Sequence, residues 1–262
     1  MACRWHVGVP TCLGVVAVFS YNMEHFSIRR EVKSGMYSPV AYLMSNFLLQ
    51  IPLMIVLAVL ALMIGGYVVS LYHIDMCVQM LGLYALTIWS FECMAHLLGV
   101  QFANPLIGML GFMCLWFSSF LFAGVMVPED DVIWPFKLFV YIFPFRWFLA
   151  SAMYTDFHDT TFDGAIPDPL APKGYSCPGS DDSTLACYGY TGKQVLDSLG
   201  VTYKSFSSDD NVLRDAMYIL AIAMFYKIGT VALVIYDCHA SQAPKDPKAR
   251  APTKGNKGNG TT

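Results

Sequence analysis

The chain has 262 residues, of which 56% are hydrophobic and only 13% are charged, and its formal net charge is -3 at pH 7. Soluble domains carry about 25% charged residues. This composition therefore excludes an ordinary soluble domain and indicates a protein embedded in a membrane. The small net charge decides little, because the placement of Lys and Arg sets the orientation of a membrane protein.

Four apolar stretches are long enough to cross a bilayer, since a membrane helix needs about 20 mostly apolar residues. They cover residues 40–69, 78–103, 105–127 and 216–236. A shorter apolar run at 7–21 lies ahead of them, and we interpret it as a truncated membrane helix. The alternative is a signal peptide whose basic end is Arg4.

The basic residues fix a predicted orientation. They cluster in the link 24–33 and in the tail after Asp237. Short loops rich in Lys and Arg lie on the cytoplasmic side, whereas the long segment 128–213 is rich in Asp. The four apolar stretches supply the crossings that this orientation requires. The sequence thus predicts a transmembrane domain at 1–237 with an extracellular loop at 128–213, and a disordered basic cytoplasmic tail at 238–262.

The stretch 133–154 opens the predicted extracellular part. It is aromatic but interrupted by Pro135, Lys137, Pro144 and Arg146. Broken backbone is tolerated at membrane depth only where protein or water satisfies its polar groups. We therefore predict a re-entrant or interfacial hairpin that Arg146 anchors at the outer interface. The predicted fold class is all-α integral membrane, with about five transmembrane helices and this outer hairpin.

Two further patterns lie in the extracellular loop. Cys177 and Cys187 flank a run of turn-forming residues, and in an oxidising compartment such a pair predicts a loop-closing disulfide. Thr191 and Gln194 have the spacing of a helix capping box. They predict a short packed helix that Gly200 ends.

Ionisable residues within the apolar stretches are candidate functional residues. Glu92 and His96 are four residues apart, so on a helix they share one face. They form either a polar contact for substrate or protons, or a hydrogen-bonded packing contact inside the bundle. Lys227 is expected to extend its ammonium group towards the inner headgroups.

The sequence contains no pattern that indicates a catalytic or metal site. A CxxC pair, an HExxH motif and a Cys/His cluster are all absent, and Gly192-Lys193 lacks the frame of a phosphate loop. We therefore predict no enzyme activity, no metal and no cofactor bound by the chain itself. No nucleic acid is expected as a partner.

The link reads HFSIRREVKSGMYSPVAY from His25 to Tyr42. With Glu24 ahead of it, the Arg30-Glu31 pair followed by Gly-Met-Tyr-Ser-Pro resembles the ABC transporter G subfamily, the white and pleiotropic-drug-resistance group. In that subfamily this stretch joins the second and third transmembrane helices. The resemblance continues at 122–128 and 144–147 and covers almost the whole chain.

The resemblance implies the transmembrane part of a homodimeric or heterodimeric exporter in the plasma membrane or an endomembrane. ATP and Mg²⁺, bound by a nucleotide-binding domain, drive the alternating-access export of lipids, sterols or hydrophobic compounds. It implies roles for nine residues. Those of the coupling helix are Glu24, Arg29, Arg30, Glu31 and Lys33, those of the cavity wall are Phe117 and Phe120, and those of the apolar plug are Val125 and Met126.

The chain departs from the subfamily pattern in what precedes the link. No Walker A motif, signature motif or first transmembrane helix is present. The expectation is a C-terminal fragment that depends on a nucleotide-binding domain in cis or in trans. The alternative is a non-transporting scaffold or regulator that dimerises with intact transporters. An ion channel is not favoured, because neither an acidic filter ring nor an Arg-rich sensor is visible.

Overall fold

The computed structural model describes residues 2–63, 74–162, 165–169, 174–177 and 188–242. The helices of these residues are α1 Ala2–Lys33, α2 Pro39–Leu62, α3 Ile74–Gln101, α4 Pro105–Leu121, α5 Lys137–Ile142, α6 Pro144–Phe157, α7 Gly192–Thr202 and α8 Val212–Gln242. A 3-10 turn covers Glu129–Asp131. Two short antiparallel strands, β1 Ile166–Pro167 and β2 Tyr175–Ser176, pair outside the helices.

Three helices of the described residues are long and apolar enough to cross a membrane: Pro39–Leu62, Val78–Gln101 and Val212–Cys238. The helix α4 is apolar but shorter, with 17 residues. This architecture is consistent with the predicted all-α membrane fold. By length and composition, three of the predicted spans are present among the described residues. The fourth predicted span, at 105–127, corresponds to the shorter helix α4.

The helix α3 lies at the centre of the bundle and contacts α1, α2, α4, α6 and α8. Of its apolar window, 78% is buried inside the protein, compared with 22% for α2 and 33% for α8. The large side chains of Tyr84, Phe91 and Met94 are fully buried on α3. Because lipid is as apolar as these side chains, close packing rather than the hydrophobic effect holds such helices together. The helices α2 and α8 form the outer faces.

Small residues let α1 approach its neighbours closely. A Cβ atom on Gly14 would lie 1.9 Å from the Phe112 ring of α4, and one on Gly99 would lie 3.2 Å from the Val18 carbonyl oxygen. Asn22 of α1 stabilises the contact with the end of α3, because its Nδ2 donates to the carbonyl oxygens of Gly99 and Phe102 at 2.8 and 2.7 Å. This packing resembles the small-residue contacts between membrane helices in general.

The charged link is the last part of α1 and does not form a separate short helix. Arg, Glu and Lys are good helix formers, and α1 continues through them to Lys33. Gly35 then takes φ 79°, and the amides of Gly35 and Met36 donate to the carbonyl oxygens of Val32 and Glu31. This pattern is a Schellman cap.

The start of α2 follows directly. Ser38 accepts a hydrogen bond from the Ala41 amide and caps the helix, while Pro39 occupies its first turn. Only Ser34 to Ser38 therefore separate two long helices, and both ends of this turn are fixed by caps.

The predicted hairpin consists of the two short helices α5 and α6, which meet at Phe143-Pro144. Phe145, Phe148 and Leu149 bury one face of α6, and the helix packs on α3 and α8. How deep the two helices lie in a membrane stays a prediction.

The capping box of Thr191 and Gln194 is confirmed at the start of α7. The helix continues past Gly200 to Thr202, so its predicted end is wrong by two residues. The predicted disulfide of Cys177 and Cys187 stays a prediction, because Cys187 lies outside the described residues.

The helix α8 continues beyond the predicted boundary at 237 to Gln242, and the remainder of the predicted basic tail lies outside the described residues.

Candidate functional site

The charged end of α1 presents its side chains on two faces. Glu24, Arg30 and Lys33 are exposed, whereas Glu31 accepts a 2.5 Å hydrogen bond from the Tyr37 hydroxyl in the turn. This hydrogen bond favours the protonated phenol and raises the pKa of Tyr37 to about 12. Glu31 is thereby held against the turn between α1 and α2.

The opposite face of the same helix end contacts α8. His25 Nε2 lies 3.2 Å from Asp237 Oδ2, and Arg29 Nη1 lies 3.9 Å from the same oxygen. Of the predicted coupling residues, Arg29 and Glu31 are therefore held by contacts within the bundle. The exposed Arg30 and Lys33 are accessible to another protein.

A buried polar cluster lies inside the bundle at the predicted pair. His96 Nε2 is 3.8 Å from Glu92 Oε1 on α3, and the Tyr21 ring stacks on the imidazole with centroids 4.1 Å apart. From α2, Gln50 Nε2 lies 3.1 Å from His96 Nδ1. Three helices thus contribute to the environment of His96.

Lys227 completes this cluster from α8, which corrects the prediction that it extends to the inner headgroups. Its side chain is buried, and Nζ donates to Gln50 Oε1 at 2.9 Å. Nζ also lies 5.9 Å from the centre of the Phe47 ring. Charged groups within a membrane bundle usually pair with one another or with polar partners, and Gln50 supplies such a partner here.

The predicted pathway residues differ in exposure. Phe117, Val125 and Met126 are exposed. Phe120 is half-buried, and its ring packs between Trp116 and Phe145 with centroid distances of 6.2 and 5.9 Å.

Backbone geometry positions the predicted plug. Gly124 takes φ 85°, and a Cβ atom there would lie 2.2 Å from Ser205 Oγ. This close approach fixes the segment just ahead of Val125 and Met126.

An ion pair that the sequence did not predict joins α6 to the segment after α4. Arg146 of α6 places Nη2 2.7 Å from Glu129 Oε2, with both side chains 10% exposed. The Tyr141 hydroxyl donates to the other oxygen of Glu129, and the guanidinium lies over the Tyr141 and Trp147 rings. Arg146 thus ties α6 to the segment that follows the predicted plug. Among the described residues, no group of three or more His, Cys, Asp or Glu side chains is placed to hold a metal ion.

The helices and their buried polar contacts define an integral membrane protein of the all-α class. The family model of the ABC-2 type transporter matches residues 7–157. The chain belongs to this family and is a transmembrane component of an ABC-type transporter. Membrane domains of this family typically dimerise and partner with a nucleotide-binding domain. A comparison with curated proteins finds no match.

Proposed function

We propose that the chain is the transmembrane part of a G-type ABC exporter of lipids, sterols or other hydrophobic compounds. Its task is mechanical coupling, and it carries out no chemistry itself. ATP and Mg²⁺ bind to a nucleotide-binding domain in cis or in trans, and hydrolysis takes place there. The family match and the Arg-Glu and Gly-Met-Tyr-Ser-Pro pattern of the link support this proposal.

The fixed connection between α1 and α2 is the observation that carries the coupling role. The helix α1 continues unbroken into its charged end. The Schellman cap at Gly35 and the hydrogen bond between Tyr37 and Glu31 then fix the turn. A force on the exposed Arg30 and Lys33 is therefore transmitted to both helices rather than absorbed by a flexible loop.

The exposed apolar residues Phe117, Val125 and Met126 support a pathway that a second half-transporter completes. Exposed apolar side chains on a membrane protein face either lipid or another protein. In a dimer, these side chains would meet their counterparts in the partner copy. The proposed path for hydrophobic substrates lies between the two copies.

The coupling role is tested by Arg30→Ala and Glu31→Ala in the assembled transporter, with its nucleotide-binding domain present and in native membranes. We expect substrate-stimulated ATP hydrolysis to fall several-fold in each variant, with unchanged amounts of protein at the membrane. Lys204→Ala is the control for Arg30→Ala, because it removes a positive charge from an exposed side chain outside the link.

Unchanged stimulated turnover in both link variants would contradict the coupling role. If the chain instead co-purifies with intact transporters and its link variants leave their ATP hydrolysis unaltered, it is a scaffold or regulator.

A further inference from the structure

A cavity of about 340 Å³ opens between α1, α2 and α3, inside a single copy of the chain. One wall is apolar and includes Leu13, Val16, Leu49, Leu53 and Leu57. The other wall is polar and includes Glu24, Asn46, Gln50, Glu92 and His96. The proposed path at Phe117, Val125 and Met126 contributes no residue to this cavity. Among the described residues, the cavity is therefore a separate feature.

The polar wall carries carboxyl groups but, among the described residues, no ammonium or guanidinium group. Glu24 and Glu92 are its two carboxyl groups, and none of the described residues that line the cavity is Lys or Arg. Glu92 Oε2 is buried and finds no hydrogen-bond partner among the described residues. A buried acceptor without a partner is costly, so a donor that reaches it would bind favourably.

Lys227 lies behind this wall rather than in it. Its ammonium group donates to Gln50 Oε1 at 2.9 Å, and it interacts electrostatically with Glu92. Among the described residues, the lining therefore offers two carboxyl groups and no Lys or Arg side chain. Such a lining favours a ligand group that carries hydrogen-bond donors and a positive charge over an anion.

The apolar wall leads to the outer surface of the bundle. Val16, Leu49 and Leu53 line the cavity and are exposed, and α2, which carries two of them, has only 22% of its window buried. In the proposed site, this exposed apolar surface faces lipid. A molecule dissolved in the bilayer could therefore enter sideways, with its hydrocarbon part against these side chains.

We infer that this cavity binds a lipid-soluble molecule carrying a protonated amine. The ammonium group donates hydrogen bonds to Glu92 and is attracted by Glu24 at the exposed end of the polar wall. The alkyl part packs along Val16, Leu49 and Leu53. Such a site recognises its ligand by one cationic group and a tail, and it needs neither a nucleotide nor a second copy of the chain.

Photolabelling tests the site directly. The purified chain in phosphatidylcholine nanodiscs is labelled with a dodecylamine that carries a diazirine at its tail, and the modified peptides are mapped. Labelling should concentrate at 13–17 of α1 and 49–57 of α2. Unlabelled dodecylamine should compete at a concentration about tenfold lower than dodecanol, because only the amine forms a charge-assisted hydrogen bond.

Three variants separate the charge from the shape of the cavity. Glu92→Gln and Glu24→Gln should each weaken competition by the amine about tenfold and leave competition by dodecanol unchanged. Leu53→Trp should weaken both competitors, because it fills the apolar side. Glu24 is exposed, so its variant changes the charge at the accessible end of the polar wall.

Labelling spread evenly over the lipid-facing helices would overturn the proposal. Equal competition by amine and alcohol in the unmodified chain, or amine competition unaltered in both glutamine variants, would overturn it as well. These outcomes are independent of the proposed export function, because the assay requires neither ATP nor transport.

Discussion

Removing the Arg146 guanidinium should destabilise the protein more than removing any exposed charge does. Arg146 Nη2 lies 2.7 Å from Glu129 Oε2, and both side chains are 10% exposed. Arg146→Met keeps much of the length and apolar volume of the side chain but removes its charge and donors. Glu129 would then keep the Tyr141 hydroxyl as its donor but lose its charged partner.

The expected size of the effect follows from this burial. Breaking a buried ion pair on one side costs about 3–5 kcal/mol, because the remaining charge is left uncompensated in a poorly solvated place. For domains of this size, 1 kcal/mol shifts the unfolding midpoint by about 2–4 °C. The Arg146→Met variant should therefore unfold roughly 6–20 °C below the unmodified protein. The loss of stacking over Tyr141 and Trp147 acts in the same direction.

The assay is thermal unfolding of the purified protein in detergent, followed by intrinsic fluorescence. The neighbouring pair of Asp130 and Lys204 provides the matched control. Its Oδ1 and Nζ atoms are also 2.7 Å apart, but each side chain is 60% exposed. The attraction lowers the pKa of Asp130 and raises that of Lys204. Water and salt screen such a pair, so Lys204→Met should leave the unfolding midpoint almost unchanged.

A double variant tests whether the uncompensated charge of Glu129 causes the loss of stability. Replacing both partners, as in Glu129→Gln with Arg146→Met, removes the uncompensated charge and should recover most of the lost stability. Equal unfolding midpoints for Arg146→Met and Lys204→Met would refute the argument from burial. A double variant no more stable than Arg146→Met alone would refute the argument from the uncompensated charge.

Two further predictions concern α1. The hydrogen bond to Glu31 raises the pKa of Tyr37 to about 12, so its stabilising contribution is complete below pH 10, the ordinary pKa, and is lost as the pH rises towards 12. Difference absorbance of the phenolate against Tyr37→Phe should show this late titration, and Glu31→Ala should bring it back towards pH 10. Gly14→Val should destabilise the bundle by about 1–3 kcal/mol, because its Cβ would lie 1.9 Å from the Phe112 ring. Gly8→Val, where a Cβ meets no atom within 4 Å, is the control, and equal unfolding midpoints would contradict the packing of α1 on α4.

Local patterns in the sequence predicted local structure well. The capping box at Thr191 needs only four consecutive residues, and the pairing of Glu92 with His96 needs only the helical repeat. The helix end at Gly35 and the helix start at Pro39 depend in the same way on residues that favour these positions. Each of these features depends on neighbours in the chain, so composition and spacing carry the information.

Contacts between distant segments could not be predicted in this way. Lys227 and Gln50 are 177 positions apart, and no local sequence pattern around either residue predicts that they are in contact. The buried pair of Arg146 and Glu129 depends on how the segment after α4 returns to α6. The continuation of α1 through its charged end was missed for another reason. The charged residues of the link indicate where the chain leaves the membrane. A helix can continue past that point, and α1 does so as far as Lys33.

The polar side chains of α2 show why this lipid-exposed helix can carry them. Tyr42, Asn46 and Gln50 are four residues apart and lie on one face, where Asn46 Nδ2 donates to the Tyr42 hydroxyl and Gln50 Nε2 donates to Asn46 Oδ1. At Gln50 the series meets two other helices, because His96 Nδ1 of α3 lies 3.1 Å from Gln50 Nε2 and Lys227 of α8 donates to Gln50 Oε1. Hydrogen bonds between membrane helices average only about 0.6 kcal/mol each, so no single one holds the bundle. Because every donor and acceptor lies on the same face, however, rotation of α2 about its axis would break the contacts with α3 and α8 together. The series therefore fixes the orientation of α2, and with it the position of the polar wall of the cavity.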